Sequence, residues 1–268
     1  MEEVISGESL TIDQAIANLE SADLGLRFYA AWWLGKFRVS DRKAIAGLIK
    51  ALEDEDDRTP EGGYPLRRNA ARALGKLSDL SAVPALIKAL DCSDFYVREA
   101  AAQSLEMLGD ISAIPALYKV LSFGLVGNEL IPQQPDLSHP YDAVIEALGS
   151  LAAKEIIDSI KPFLKHPIQR VKYAAARGMY QLTQESIYGE ILVQALQGDD
   201  LQLRRTALAD IGAIGYLPGA EVIAQTLAEN SLKLISLKGL LEFQVKESVS
   251  SELSNGAIKV MDLMDSLL

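Results

Sequence analysis

A short phrase of helix-forming residues recurs along this chain and constrains its fold more than any other feature. Each copy has an apolar residue, a basic residue, a pair of small residues and, a turn or so later, a leucine or isoleucine that glycine often follows. The residues at the basic position, with one tyrosine among them, are Arg27, Arg67, Arg98, Tyr141, Lys172, Arg204 and Lys233. Repeats of a few tens of residues build arrays in which each unit buries its apolar face against its neighbours. The sequence therefore predicts an all-α solenoid of about six to seven two-helix repeats.

Each repeat reads as two helices joined by a short acidic turn, and the recurring phrase forms the second helix. Apolar residues at helical spacing predict the buried face of that helix. In the third repeat these positions are Val97, Ala101, Leu105 and Leu108, and in the first they are Leu26, Ala30, Leu34 and Phe37. The basic residues next to this face are predicted to pair with turn aspartates of adjacent repeats, as a ladder formed by Arg27, Arg67, Arg98 and Arg204.

Two of the spacings between copies are longer than the others and locate insertions. Residues 53–65 are acidic and then turn-rich, and residues 122–140 are rich in glycine and proline. Both insertions read as loops at the edge of the array. We expect a repeat array over residues 1–244 that begins with a capping helix, followed by residues 245–268 as a linker and an amphipathic C-terminal helix.

Composition excludes several classes of function. The chain has 268 residues and a net charge of −11, which disfavours nucleic acid and anionic membranes as main partners. Cys92 is the only cysteine, and His139 and His166 are far apart, so we expect no metal site. No catalytic triad or phosphate-binding glycine loop can be assembled. The N-terminus lacks a secretory signal and no stretch is long enough to span a membrane, which predicts a cytoplasmic protein.

The outward positions of the second helices carry the most informative side chains. They combine aromatic residues with arginines in the set Phe28, Trp32, Arg68, Arg72, Tyr173, Arg177 and Arg205. Aromatic rings offer flat contact area, and guanidinium groups bind carboxylates through paired hydrogen bonds. Such a surface suits a large planar ligand with acid groups or the acidic surface of another protein. A solvated face without ligand is the alternative for the arginines, and Cys92 reads as a turn residue or, alternatively, as a transient thiol carrier.

Three segments resemble a known family, the E subunits of the E/F-type phycobilin lyases, which are HEAT-like repeat proteins. The most specific matches are the Trp32-Trp33 pair, the Gly62-Gly63-Tyr64-Pro65 insertion and the Ser93-Asp94-Phe95-Tyr96 turn. The similarity runs from about residue 10 to residue 242 and is greatest to the subunits that serve the α chain of phycocyanin.

The resemblance implies a heterodimer with an F-type subunit that attaches phycocyanobilin to a cysteine of apo-phycocyanin α through a thioether, during phycobilisome assembly. The bilin is then a transferred substrate, and no prosthetic group is implied. The nucleophile belongs to the substrate protein, so this chain needs none. The reaction can also use an acid that protonates the bilin while the thiol adds to it. Three residues are candidates for this role, namely Asp94, Tyr64 and Tyr96. The alternative is a non-catalytic HEAT-repeat scaffold or chaperone for phycobiliprotein assembly or turnover.

Overall fold

The computed structural model describes residues 10–131, 138–247 and 253–268, and the chain forms two compact units. Of the described residues, the first unit comprises 10–123 and 138–147, and the second comprises 124–131, 148–247 and 253–268. Helices of the first unit are α1 (Ile12–Asn18), α2 (Leu24–Lys36), α3 (Arg42–Ala51), α4 (Pro65–Leu77), α5 (Val83–Ala89), α6 (Phe95–Leu108) and α7 (Ile114–Ser122). Helix α8 (Tyr141–Ser150) begins in the first unit and ends in the second.

The second unit holds the remaining elements. Its strands are β1 (Leu125–Val126) and β2 (Glu129–Leu130), and its helices are α9 (Ile157–Ile160), α10 (Gln169–Thr183), α11 (Ser186–Ala195), α12 (Leu201–Ile214), α13 (Ala220–Gln225), α14 (Asn230–Glu247) and α15 (Asn255–Asp265). The strands form an antiparallel hairpin in which Leu125 pairs with Leu130. This hairpin lies within the predicted second insertion, of which residues 132–137 are outside the described residues. The fold is thus the predicted all-α, HEAT-like solenoid.

The helices begin where the sequence places capping side chains. Thr11 accepts a hydrogen bond from the N–H of Gln14, whose side chain bonds the N–H of Thr11 in return, so a capping box starts α1 as predicted. Residues 1–9 of the predicted capping segment lie outside the described residues. Asp23, Asp94 and Asp200 cap α2, α6 and α12 through their carboxylates.

Consecutive helices form the repeats, and the second helices of neighbouring repeats stack on one another. In the first unit α1 pairs with α2, α3 with α4 and α5 with α6, while α4 lies between α2 and α6. In the second unit α12 packs between α10 and α14. The stacked helices approach closely because small residues face each other, as where Gly35 of α2 meets Ala73 of α4. A Cβ added to Gly35 would lie 2.8 Å from the Cα atom of Ala73.

The predicted buried face is correct in the third repeat and partly wrong in the first. Val97, Ala101 and Leu105 are fully buried, and Leu108 at the end of the helix is partly buried. Leu26 and Phe37, however, are 42% and 59% exposed. The reason is that α2 belongs to the first repeat, and no second helix among the described residues precedes it to cover these positions.

The predicted arginine ladder exists, but it rests on backbone carbonyls more than on aspartate side chains. Arg27 pairs with Asp54 at 2.5 Å and with Asp56 at 3.2 Å, as expected. Arg98 instead donates to the carbonyls of Cys92 and Ser138.

The other two arginines of the ladder also bond carbonyls. Arg204 donates to the carbonyls of Gly198 and Leu227, and Arg67 donates to the carbonyl of Asp54 in addition to its ion pair with Glu55. Each arginine therefore satisfies carbonyls of turns, which the residue types alone do not show.

The C-terminal region is helical and docked. Helix α14 continues to Glu247, past the predicted array boundary at residue 244, and α15 packs against α13 and α14 with Ala257 and Val260 buried. Part of the predicted linker, residues 248–252, lies outside the described residues. The division into residues 1–244 and 245–268 stays a prediction.

Candidate functional site

Four of the predicted ligand-binding residues lie at matching positions of two stacked helices in the first unit. Counted from the basic residue of each repeat, Phe28 of α2 corresponds to Arg68 of α4, and Trp32 corresponds to Arg72. The two helices are in contact along this stretch, where the side-chain amide of Asn69 donates to the carbonyl of Phe28 at 3.4 Å. Phe28 and Trp32 are 37% and 45% exposed. The fold therefore places two exposed aromatic side chains on the helix beside two arginines.

Whereas Arg27, Arg67, Arg177 and Arg205 each have a carboxylate partner, Arg68 and Arg72 have none among the described residues. They are one helical turn apart on α4, Arg72 is exposed, and Arg68 is partly buried with its Nε lacking a hydrogen-bond acceptor. The guanidinium of Arg68 lies over the ring of Tyr96, 5.8 Å from its centroid. Two adjacent guanidinium groups without carboxylate partners suit a ligand with two anionic groups, and this binding role stays a prediction.

An open cleft of about 430 Å³ adjoins Arg68 and unites it with all three candidate acids. Its walls are the first insertion and the start of α6, and the lining residues include Thr59, Glu61, Gly62, Gly63, Tyr64, Arg68, Asp94, Phe95 and Tyr96. We name this space, together with Phe28, Trp32 and Arg72, the arginine–aromatic site. The sequence motifs at residues 62–65 and 93–96 thus meet in one place.

The carboxylate of Asp94 holds the walls of the cleft together. One oxygen accepts the N–H of Tyr96 at 2.7 Å and so caps α6, while the other accepts the N–H of Tyr64 at 2.6 Å. Both oxygens are therefore engaged with backbone donors, and this geometry fits a positioning role better than proton transfer.

Tyr64 and Tyr96 have different surroundings. The ring of Tyr64 is buried between the guanidinium groups of Arg67 and Arg58, which lie 4.1 Å and 5.4 Å from its centroid. Its hydroxyl donates to Glu55, whose pKa is lowered mainly by the hydrogen bond from Arg67. Tyr96 is 55% exposed, and its hydroxyl has no partner among the described residues. Of the two phenols, that of Tyr96 is the one open to a ligand.

The predicted ligand-binding residues of the second unit are occupied by contacts within the chain. Arg177 pairs at 3.3 Å with the buried carboxylate of Asp210. Arg205 makes a two-point ion pair with Glu229, with Nε 3.1 Å from one oxygen, and this contact lowers the pKa of Glu229.

Tyr173, the third of these residues, lies at the edge of the core. It is partly buried against the core of the second unit, and this burial raises the pKa of its hydroxyl. These three residues therefore offer less free binding capacity than Arg68 and Arg72.

Cys92 lines a different cleft of about 560 Å³ in the first unit. Its thiol is partly buried, with Sγ 3.9 Å from Nη1 of Arg67. The two cations of this cleft, Arg67 and Lys88, are already paired with Glu55 and Glu53, and the cleft also contains the carboxylate of Asp91. This surrounding makes the cleft a poorer place for a ligand with acid groups than the arginine–aromatic site.

The sequence did not point to Arg58, Thr59 and Glu61 as parts of the site. They lie in the first insertion, which folds back because the Thr59 hydroxyl accepts the N–H of Gly63 at 3.0 Å. The Gly62-Gly63 pair was the available signal, since Gly62 has a φ of 88° that favours glycine.

No group of three or more histidine, cysteine, aspartate or glutamate side chains is arranged to hold a metal ion in the described part of the chain. Over the same residues, no helix is long and apolar enough to cross a membrane.

Comparison with known families agrees with this architecture. HEAT repeats match residues 63–122, and the PBS lyase HEAT-like repeat matches residues 26–54. The fold and these matches define a protein of the HEAT-repeat class.

Some relatives match nearly the whole chain at high sequence identity. It is 68% identical over 264 residues to the phycocyanobilin lyase subunit alpha of Microchaete diplosiphon, covering 97% of this chain and 90% of the relative. It is 45% identical over 240 residues to the bilin biosynthesis protein PecE of Nostoc sp., covering 87% of each.

A solved structure matches the entire chain. It is the complex of CpcE and CpcF of phycocyanin lyase from Nostoc sp. PCC7120, with a TM-score of 0.89, 60% identity and coverage of 100% of this chain and 99% of the matched one. The chain belongs to the family of phycocyanobilin lyase alpha subunits.

Proposed function

We propose that this chain is one subunit of a heterodimeric lyase that attaches phycocyanobilin through a thioether bond to a cysteine of the phycocyanin α chain. Its partners are then an F-type lyase subunit, the apo-phycocyanin α chain and the bilin itself. The bilin is the transferred substrate in this proposal, and we expect no prosthetic group. The work would take place in the cytoplasm, where phycobilisomes are assembled.

The observation that carries this proposal is the pair of unpaired guanidinium groups on α4 beside exposed aromatic rings on α2. A bilin is a long conjugated tetrapyrrole with two propionates. Arg68 and Arg72 would bind the propionates, and Phe28 and Trp32 would contact the pyrrole rings. Holding the bilin in one orientation exposes one face of its A ring to the incoming thiol, and orientation alone lowers barriers by several kcal/mol.

The covalent step adds the thiol across the A-ring ethylidene double bond. Sulfur bonds to the ethylidene carbon and one proton is added to the conjugated system, so no group leaves and no oxidant is needed. Among the candidate acids we favour Tyr96, because its phenol is exposed in the cleft and lies beneath the guanidinium of Arg68. We assign Asp94 and Tyr64 to positioning, since Asp94 binds two backbone N–H groups and the hydroxyl of Tyr64 binds Glu55.

The residues Tyr173, Arg177 and Arg205 stay weaker candidates for bilin binding. Arg177 and Arg205 already have carboxylate partners, and a bilin propionate would have to displace Asp210 or Glu229. Our proposal therefore assigns the propionates to the first unit.

The test is reconstitution with this chain, the F-type subunit, apo-phycocyanin α and a bilin source. Covalent product is read as zinc-induced fluorescence of the α chain after denaturing electrophoresis. We expect Arg68→Gln and Arg72→Gln each to weaken bilin retention by the heterodimer about 10-fold or more, because each removes a charge-assisted hydrogen bond. Arg205→Gln is the matched control and should retain bilin like the wild type.

Two results would contradict the proposal. If no covalent product forms with all four components present, the chain acts as a scaffold or chaperone and not as a lyase subunit. If Arg205→Gln loses bilin while Arg68→Gln and Arg72→Gln retain it, the binding site lies in the second unit.

A further inference from the structure

The stacked second helices follow a rule about side-chain size. In four crossings of second helices, the later helix has a small residue six positions after its basic position, and this residue packs on a glycine eight positions after the basic position of the preceding helix. Helix α12 is an exception, because it has Asp210 at this position where it packs on α10. The contacts are Ala73 on Gly35, Ser104 on Gly75, Gly178 on Gly149 and Gly239 on Gly212. In the first three pairs, a Cβ added to the glycine of the preceding helix would lie 2.8 Å from the Cα atom of the small residue. For the last pair, a Cβ added to Gly239 would lie 2.8 Å from the carbonyl carbon of Gly212. This face of a second helix is therefore built to touch a preceding helix.

Helix α2 presents the same face, but no second helix precedes it among the described residues. The face consists of Leu26, Tyr29, Trp33 and Phe37, which we name the α2 end face. The matching residues of α4, Leu66, Asn69, Ala73 and Leu77, are at most 8% exposed. On α2, Leu26, Tyr29 and Phe37 are 42%, 47% and 59% exposed. Helix α1 packs against α2 but leaves these side chains uncovered by the described residues.

The residue types on the α2 end face are those of a protein interface. Where α4 has Asn69 and Ala73, α2 has Tyr29 and Trp33. The Trp33 ring packs on the ring of Phe37, with centroids 4.9 Å apart. Aromatic residues are enriched in the central part of protein interfaces, and an array that ends in solvent normally has a polar outer face.

The charges at one edge of the α2 end face indicate what charge the partner's surface carries. Lys36 and Arg38 flank Phe37, are exposed and have no carboxylate partner among the described residues. The chain as a whole carries a charge of −11, so this basic edge is a local exception. A complementary surface has an apolar centre and carboxylates opposite Lys36 and Arg38.

We infer that the second lyase subunit docks on the α2 end face, through an apolar helix face flanked by carboxylates. This inference rests on the proposed function, which requires a second subunit. Trp32 lies on the adjacent stripe of α2, with its ring 5.5 Å from that of Tyr29 between centroids, so a subunit docked here would lie next to the arginine–aromatic site. That position explains how a partner could complete the bilin site without contributing to the fold of this chain.

The test measures binding of the purified second subunit to the full-length chain by titration calorimetry, without bilin and without the α chain. Tyr29→Glu and Phe37→Glu should each raise the dissociation constant about 30-fold or more, as expected for a residue at the centre of an interface. The control is Ile111→Glu, which alters a side chain that is 68% exposed elsewhere in the first unit and should leave the dissociation constant unchanged. Thermal unfolding of each variant verifies that the free chain still folds.

Wild-type affinity in both end-face variants would overturn the inference. A second outcome would also overturn it. If the wild-type chain forms homodimers, and Tyr29→Glu dissociates them but keeps its affinity for the second subunit, then the face binds a second copy of this chain. If deleting residues 1–9 exposes the face to a hydrophobic dye and the Glu variants keep their affinity, the face binds the chain's own N-terminus. Tight binding without bilin attachment would overturn the lyase function alone, whereas absence of any complex would overturn both proposals.

Discussion

At the scale of single residues, Tyr216 shows how one buried hydroxyl connects helices of the second unit. Its ring is 2% exposed and packs edge-on against Tyr180 at 5.2 Å between centroids. The hydroxyl donates to the carboxylate of Glu190 at 2.5 Å. Burial, reinforced by this contact, raises the pKa of Tyr216 to about 12.

This raised pKa predicts an alkaline limit to the stability of the second unit. An unfolded tyrosine ionises near pH 10, so the stabilisation is complete below about pH 10 and is lost as the pH rises towards about 12. Tyr216→Phe should lower the free energy of unfolding by about 1 kcal/mol at neutral pH and make it less dependent on pH in this window. Urea unfolding at about pH 7 and about pH 11 measures both effects.

A control for this variant is Tyr118→Phe, which removes an exposed hydroxyl from α7. It should keep the alkaline loss of stability that the wild type shows. If Tyr216→Phe also keeps that loss, another group is responsible and the assignment to Tyr216 is wrong.

The sequence identified the basic residues but not which of them are free. Two positions of the repeat carry these arginines. Arg68 and Arg205 lie one residue after the basic position, and Arg72 and Arg177 lie five residues after it. Only the fold shows that Arg177 and Arg205 meet Asp210 and Glu229, which lie 33 and 24 residues further along the chain. Pairing over such distances depends on how neighbouring repeats stack, and the residue types at one position do not reveal it.

At the scale of elements, the first insertion is held in place by two carboxylates. Asp57 accepts the N–H of Leu66 at 2.8 Å, and Asp94 accepts the N–H of Tyr64 at 2.6 Å. The insertion is therefore attached to the starts of both α4 and α6, and it forms a fixed wall of the arginine–aromatic site.

Removing one of these attachments should loosen the wall. Asp94→Ala deletes both the helix cap and the bond to Tyr64, so it should cost roughly 2–3 kcal/mol of stability. Hydrogen exchange of residues 59–64 should accelerate. Asp110→Ala is the control, because Asp110 caps only a local turn at Ser112. It should cost about 1 kcal/mol and leave exchange of the insertion unchanged.

If the insertion exchanges at the wild-type rate in Asp94→Ala, then Asp94 is only a helix cap. The sequence predicted that residues 53–65 and the turn at Asp94 were distinctive. It did not predict that one side chain joins them, because the two segments are some 30 residues apart and meet only when α4 stacks on α6.

At the scale of the whole molecule, both units use small residues where second helices cross. The recurring phrase predicted the repeats and most of the buried face, because the spacing of apolar residues indicates both a helix and the side of it that is buried. It predicted Leu26 and Phe37 as buried because they match internal repeats, and it failed there because no second helix among the described residues stacks on that face of α2.

Close packing at these crossings predicts a cost for added volume in either unit. Gly35→Ala and Gly239→Ala should each lower the free energy of unfolding by about 1–3 kcal/mol, even though alanine favours helices by about 1 kcal/mol over glycine. In both cases the new Cβ meets the backbone of the facing helix, which cannot move independently. Equilibrium urea unfolding gives the values.

Gly47→Ala is the matched control in α3. There the nearest atom to a new Cβ is the end of the Leu19 side chain, which can rotate away. This variant should be neutral or stabilised by up to about 1 kcal/mol. Equal behaviour of all three variants would show that the crossings tolerate a methyl group.

Trp33 also limits how a protein of this kind can lengthen in evolution. Duplication of a repeat adds a unit wherever the adjoining helices present small residues to each other. A further repeat placed before α2 would have to pack its last helix on an indole ring, where the four glycine-containing crossings described above have alanine, serine or glycine. A repeat added there would need a wider helix spacing than those crossings, whereas a repeat duplicated in the interior would meet small residues.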